Sequence, residues 1–253
     1  MSSDLLIRGG TVIDGTGSPA YVADIGITGD RITGIGSINS SNFADVIDAD
    51  GLTVAPGFID AHSHSDFTLL VDPRAVSSIM QGVTAEIVGN CGYGSCPIVN
   101  QTMAREAIYG FRPDFPLTWN TVAGYFDRLE KARPAVNVLT LVPNGQLRLG
   151  TVGAKQRPAT QEELDRMKYL LRQGLEEGAY GYSTGLEYST EIGATEEEVT
   201  ELCRVTASAD GIYATHTRNR DEASVEAVAE AIRTAKNAGV SLQISHITPR
   251  GPF

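Results

Sequence analysis

From about residue 56 to the end of the chain, apolar segments of strand length alternate with amphipathic helical segments, and this alternation constrains the fold more than any other feature. Strands are expected at Phe58–Ala61, Thr84–Val88, Asn137–Val142, Ala179–Ser183, Ile212–Thr215 and Ser241–Ser245. Helical patterns lie between them at Pro73–Gln81, Trp119–Ala132, Gln161–Glu177, Thr195–Asp210 and Asp221–Ala238. Thr160, followed by Gln161, Glu162 and Glu163, predicts a helix start with acids in its first turn, and Thr195 before three glutamates repeats the pattern. Such alternation predicts an α/β fold around a parallel sheet, either a barrel or a doubly wound sheet. No G-x-G-x-x-G follows the first strand, so the expectation is the barrel. A (β/α)8 TIM-like barrel takes eight strand–helix steps in about 250 residues. The pattern over residues 56–253 supplies about six, so a further segment or a second chain is expected to complete the barrel.

Residues 1–55 have a different character. Short β-rich runs at Asp4–Ile7, Thr11–Ile13, Asp24–Thr28, Arg31–Ile35 and Val46–Asp48 are separated by Gly-Gly, Asp-Gly and Gly-Asp pairs. That spacing predicts part of a small N-terminal β-sandwich rather than βαβ units.

The chain has only four histidines, and all four fall at the C-terminal ends of expected strands: His62, His64, His216 and His246. A parallel barrel gathers those ends at one face, where active sites of such folds are built. Residues far apart in sequence are therefore expected to meet. On extended backbone, positions i and i+2 point to the same side, so His62 and His64 can reach one metal ion. Cys91 lies just past the second expected strand, where a thiolate is a good zinc ligand able to bridge two ions; a buried, inert cysteine is the alternative. Cys96 and Cys203 read as structural. Glu187 and Tyr188 follow the fourth expected strand, where the Tyr188 phenol either donates to a substrate carboxylate or oxyanion or has only a loop role. None of the four lysines ends an expected strand, which rules out a carboxylated-lysine bridge between two metals and leaves a cysteine as its natural substitute.

Composition narrows the partners. Twenty Lys+Arg against 31 Asp+Glu give a net charge of −11, which argues against a nucleic-acid or anionic-membrane surface. No stretch approaches the roughly 20 apolar residues that span a bilayer, and no signal peptide is evident. Three cysteines at irregular spacing form no disulfide framework, so a cytoplasmic setting is expected.

Several segments carry a resemblance. The stretch from Asp4 to Gly17 resembles the opening strand of amidohydrolase-superfamily enzymes, and Ala55-Pro-Gly-Phe-Ile-Asp-Ala-His-Ser-His-Ser-Asp66 resembles their first barrel strand with its metal-binding H-x-H. Gln81-Gly-Val-Thr84, Gly89-Asn-Cys-Gly92, Thr215-His-Thr-Arg218 and Ile244-Ser-His246 are similar to the D-aminoacylase, or N-acyl-D-amino-acid deacylase, branch. The match runs over essentially the whole chain, taken as the N-terminal portion of such an enzyme. The resemblance implies that Cys91, His216 and His246 hold a tightly bound zinc ion, and that His62 and His64 complete a second, weaker site with Cys91 as bridge. It implies that Tyr188 contacts the substrate carboxylate, and that an aspartate after the eighth strand, outside this chain, acts as general base. Where the family commonly has a lysine two positions after the sixth-strand histidine, this chain has Thr248, with Arg250 nearby as a substrate-binding residue.

The implied reaction is zinc-dependent hydrolysis of a linear amide, in which a metal-activated water deacylates an N-acyl-(D-)amino acid or a related small molecule. A cyclic-amide hydrolase of the dihydroorotase or hydantoinase kind is the enzymatic alternative, and the missing strand-end lysine argues against it. A metal-binding scaffold without catalysis is the third reading.

Overall fold

The computed structural model describes residues 3–250. They fall into two compact units, Met1–Phe58 and Ile59–Phe253.

The first unit holds five strands: β1 (Ser3–Val12), β2 (Tyr21–Thr28), β3 (Arg31–Gly36), β4 (Phe43–Asp48) and β5 (Thr53–Val54). They form one mixed sheet in the order β3-β2-β1-β4, with β5 also on β1. The expected runs Asp4–Ile7 and Thr11–Ile13 are one strand, because a bulge carries the ladder through the Gly9-Gly10 pair. There Gly9 takes a left-handed φ of +71° and its N–H donates to Asp24 Oδ1 at 2.8 Å. Val12, Ala23 and Ile25 form the buried face of this sheet with Ile7, Ile27 and Val54 packed beside them. Val22, Ile32 and Ile47 are exposed. Within the described residues this unit is a single sheet layer.

The second unit carries the alternating pattern. Its strands are β6 (Phe58–Asp60), β7 (Val83–Val88), β8 (Asn137–Pro143), β9 (Gly181–Gly185), β10 (Ile212–His216) and β11 (Ser241–Ile244). They line up in sequence order as a curled parallel sheet, part of a TIM-like barrel. Successive side chains point to opposite faces of a strand. Thus Ile87, Leu141 and Ala214 cluster on one face, while their neighbours Val142 and Tyr213 join the larger core beneath the helices. The helices are α1 (Thr68–Val71), α2 (Val76–Ile79), α3 (Gln101–Ala104), α4 (Val122–Ala132), α5 (Asn144–Thr151), α6 (Gln161–Glu176), α7 (Glu196–Ala207) and α8 (Ser224–Ala238). None is long and apolar enough to cross a membrane among the described residues.

Helix starts follow the side-chain chemistry. Thr160 accepts the Glu163 N–H while the Glu163 carboxylate accepts the Thr160 N–H, a reciprocal cap on α6. Thr195 accepts the Glu198 N–H at the start of α7. Two expectations are corrected. The single helix expected over Pro73–Gln81 is confined to α2, with α1 before it. Asp72, preceding Pro73, is forced out of helical space at φ −132° and ψ 91°, and Ala75 adopts a left-handed φ of 47°. Helix α5 was not anticipated, because Asn144 to Leu149 are all buried, polar residues included, and no polar face marks the segment.

Candidate metal centre

The ends of four strands supply the side chains. His62 and His64 follow β6, Cys91 follows β7 by three residues, His216 is the last residue of β10, and His246 lies two residues past β11. Parallel pairing puts all these ends on one side of the sheet. The Gly89-Asn90-Cys91-Gly92 turn fits because its backbone is packed against neighbouring strands. A Cβ on Gly89 would meet the Leu141 carbonyl oxygen at 2.3 Å, and φ is +78°. Cys91 itself is left-handed at φ 57°, as is His246 at φ 34°. Non-glycine residues in that region cost about 1–3 kcal/mol each and persist where surrounding structure holds them, often at functional sites.

Cys91 sits at the centre of the group. Its Sγ lies 3.4 Å from His62 Nε2 and 3.2 Å from His246 Nε2. Two sets of possible ligand atoms result, His62 with His64 and Cys91, and Cys91 with His216 and His246; within each set the atoms lie within 4.8 Å of one another. The rings of His62 and His246 are 5.0 Å apart, and those of His216 and His246 4.6 Å. All five sequence-expected ligands therefore converge. Cys96 and Cys203 are buried free thiols outside both sets.

The electrostatics fit a metal ion. Burial, reinforced by neighbouring histidines, pushes His64 down to about 4. Burial, then Arg220 and His246, pushes His216 down to about 4, and burial also lowers His62 and His246. At neutral pH these imidazoles are neutral, the form that ligates. Burial and the nearby Glu191 push the Cys91 thiol up to about 12, against Arg220, so the thiolate needs a cation beside it. His62 Nδ1 is buried without a hydrogen-bond partner among the described residues. One sulfur and four imidazoles make a donor set suited to zinc.

Tyr188 is placed beside the cluster, its Oη 3.1 Å from His216 Nδ1 and its ring 4.6 Å from the His216 ring. Burial raises its hydroxyl, which stays a proton donor. Arg250 is half exposed and engaged with carboxylates: its guanidinium donates to Glu187 and, at 3.0 Å, to Asp221 Oδ2. Sequence reasoning passed over Arg220, whose guanidinium lies 3.4 Å from His246 Nδ1 and 3.3 Å from Glu187 Oε2. Its position four residues after His216, in a strand-end loop, was the available signal. Tyr93 and Tyr109 were also missed. Tyr109 packs on His64 at 4.5 Å and Tyr93 on Tyr188 at 4.9 Å, so the three tyrosines form an aromatic wall along the cluster. A cavity of about 280 Å³ opens beside the loops after His216 and His246, lined by Arg220, Val225, Val228, Ile247 and Thr248.

Comparison with known proteins agrees with this geometry. The family model described as amidohydrolase family matches residues 45–248. The D-aminoacylase of Alcaligenes xylosoxydans xylosoxydans is 38% identical over 96% of this chain and 50% of its own length. A crystal structure of D-aminoacylase superposes with a TM-score of 0.89 at 36% identity, covering 98% of this chain and 52% of that one. The N-acyl-D-glutamate deacylase of Bordetella bronchiseptica, solved with zinc and a phosphonate mimic of the tetrahedral intermediate, superposes at 0.88 with 34% identity, covering 96% of this chain and 51% of that one. The chain thus spans about half the length of the relatives it matches.

Proposed function

The chain belongs to the amidohydrolase family, and from that premise we propose that it forms the N-terminal part of a zinc-dependent deacylase that hydrolyses the amide bond of an N-acyl-(D-)amino acid or a related linear amide. The observation that carries this reading is the position of Cys91, shared between His62–His64 on one side and His216–His246 on the other. In this reading Cys91, His216 and His246 hold one zinc ion, and His62 and His64 complete a second site around the same sulfur.

Zinc bound there supplies Lewis acidity toward the scissile carbonyl and lowers the pKa of a water to about 7. The chain's own residues then bind and orient. Tyr188 presents a protonated hydroxyl at the His216 edge of the site, able to donate to a carboxylate or a developing oxyanion. Arg220 adds positive charge next to His246, and Arg250, tied to Glu187 and Asp221, adds a second cation nearby. The tyrosine wall packs along the His64 side, Tyr109 against His64 and Tyr93 against Tyr188. The cavity under Arg220 combines one cation with apolar walls, which suits a carboxylate attached to an apolar group. The general base and the remaining barrel strands are assigned to a segment or chain that continues this one. The three free thiols fit a reducing, cytoplasmic setting.

The test uses the protein that carries both this chain and the rest of the barrel. Zinc content and hydrolysis of N-acetyl-D-amino acids are measured beside dihydroorotate and hydantoin. Stoichiometric zinc and turnover of the N-acetyl-D-amino acids, lost on chelation and restored by zinc, support the proposal. Turnover confined to the cyclic amides would overturn the substrate class, and no zinc would overturn the centre.

A further inference from the structure

Glu187 is not one of the donors grouped around Cys91, yet its Oε2 lies 2.7 Å from His216 Nε2. The histidine is buried, with its side chain 1% exposed, and the carboxylate is 20% exposed. Two guanidinium groups grip the same carboxylate: Arg250 donates to Oε1, and Arg220 Nε lies 3.3 Å from Oε2. Both carboxylate oxygens thus accept from a guanidinium, which only donates, and this marks Glu187 as the accepting side of its contact with His216. The proton of the 2.7 Å contact therefore sits on His216 Nε2. A neutral imidazole has one N–H, which leaves the lone pair on Nδ1 as the ring's one site for a metal ion, with the Tyr188 hydroxyl oxygen beside it at 3.1 Å.

We propose that Glu187 is a positioning residue that locks His216 as the Nε2–H tautomer and so commits Nδ1 to the metal ion shared with Cys91 and His246. The proposal rests on the metal centre described above and assigns this chain a carboxylate–histidine–metal relay, anchored by Arg220 and Arg250. A carboxylate on the far nitrogen orients the ring and strengthens it as a donor, and loss of such a partner typically weakens metal binding tenfold to a hundredfold. The relay gives Arg250 a second role, holding the carboxylate that holds the ligand.

The test uses the protein that carries this chain together with the rest of the barrel. Long-range ¹⁵N–¹H spectra read the imidazole tautomers with and without zinc, the His216 signals being assigned by their loss in His216→Asn, and competition with a chromogenic chelator reads zinc affinity. The wild-type chain is expected to show His216 as Nε2–H in both states. Glu187→Ala should lose that tautomer preference and bind zinc about tenfold to a hundredfold more weakly. Glu187→Gln, whose amide oxygen still accepts, should keep the tautomer and lose clearly less zinc affinity than Glu187→Ala. An Nδ1–H wild-type His216 overturns the role of Glu187 alone. So does Glu187→Ala with unchanged tautomer and affinity. A chain that takes up no zinc overturns the metal centre and the relay together.

Discussion

Cys91 Sγ and His246 Nε2 lie 3.2 Å apart although 155 residues separate them in the chain. Neither residue is close to its partner by any local rule; parallel pairing from β7 through β11 brings the two strand ends together. The first consequence concerns metal content. Cys91→Ala should abolish tight zinc binding, because both ligand sets lose their common atom, whereas Cys96→Ala and Cys203→Ala should retain stoichiometric zinc. Elemental analysis after dialysis checks this, and undiminished zinc in the Cys91 variant would refute the bridging assignment.

The turn that carries Cys91 makes a sharper demand on backbone than most glycine positions do. Gly89→Ala would place a Cβ 2.3 Å from the Leu141 carbonyl oxygen at a φ of +78°, whereas Gly15→Ala, at φ +81°, meets nothing within 4 Å. Both pay for the left-handed conformation, at about 1–2 kcal/mol. Only the Gly89 variant must also push β7 away from β8, so its loss should exceed that of Gly15→Ala and should be accompanied by lost zinc. Urea unfolding of the two variants side by side measures the difference.

Arg148 and Glu198 form a buried ion pair, with side chains 0% and 4% exposed, and Arg148 also donates to the carbonyls of Thr190 and Arg157. Removing one member of such a pair leaves an uncompensated buried charge, at a cost of about 3–5 kcal/mol. Arg148→Met is therefore expected to lower stability by about that amount, read as a reduced urea midpoint with little change in slope. A loss below about 1 kcal/mol would show that the pair is dispensable.

The cap of α6 should give a pH signature. The Arg157 guanidinium, helped by the Thr160 N–H, pulls the Glu163 carboxyl from 4.5 down to about 2. The folded value is depressed, so the contribution is complete above about 4.5 and is lost as pH falls toward about 2. Glu163→Gln should lower the Tm by a few degrees at pH 7, and the gap to wild type should close between pH 4.5 and 2. Arg157 is 38% exposed, so salt should shrink the gap at neutral pH. Melting curves across this range at two salt concentrations provide the check.

Periodicity determined much of this protein from sequence alone. Each of the six expected barrel strands overlaps a strand of the parallel sheet, and the Thr160 and Thr195 caps start helices as their side-chain chemistry requires. The four histidines and Cys91 stood out because strand ends are local features, and a parallel sheet turns a local feature into a shared location. Tertiary structure alone decided what surrounds them. Glu187, Arg220 and Arg250 meet His216 and His246 through loops whose course no periodicity specifies, and Tyr93 and Tyr109 reach the site from two separate loops. Helix α5 stayed hidden for the same reason, since its polar residues are buried against neighbours instead of facing water. Hydrophobic patterning reports which face of an element is covered; it carries no record of which distant polar groups that covering brings into contact.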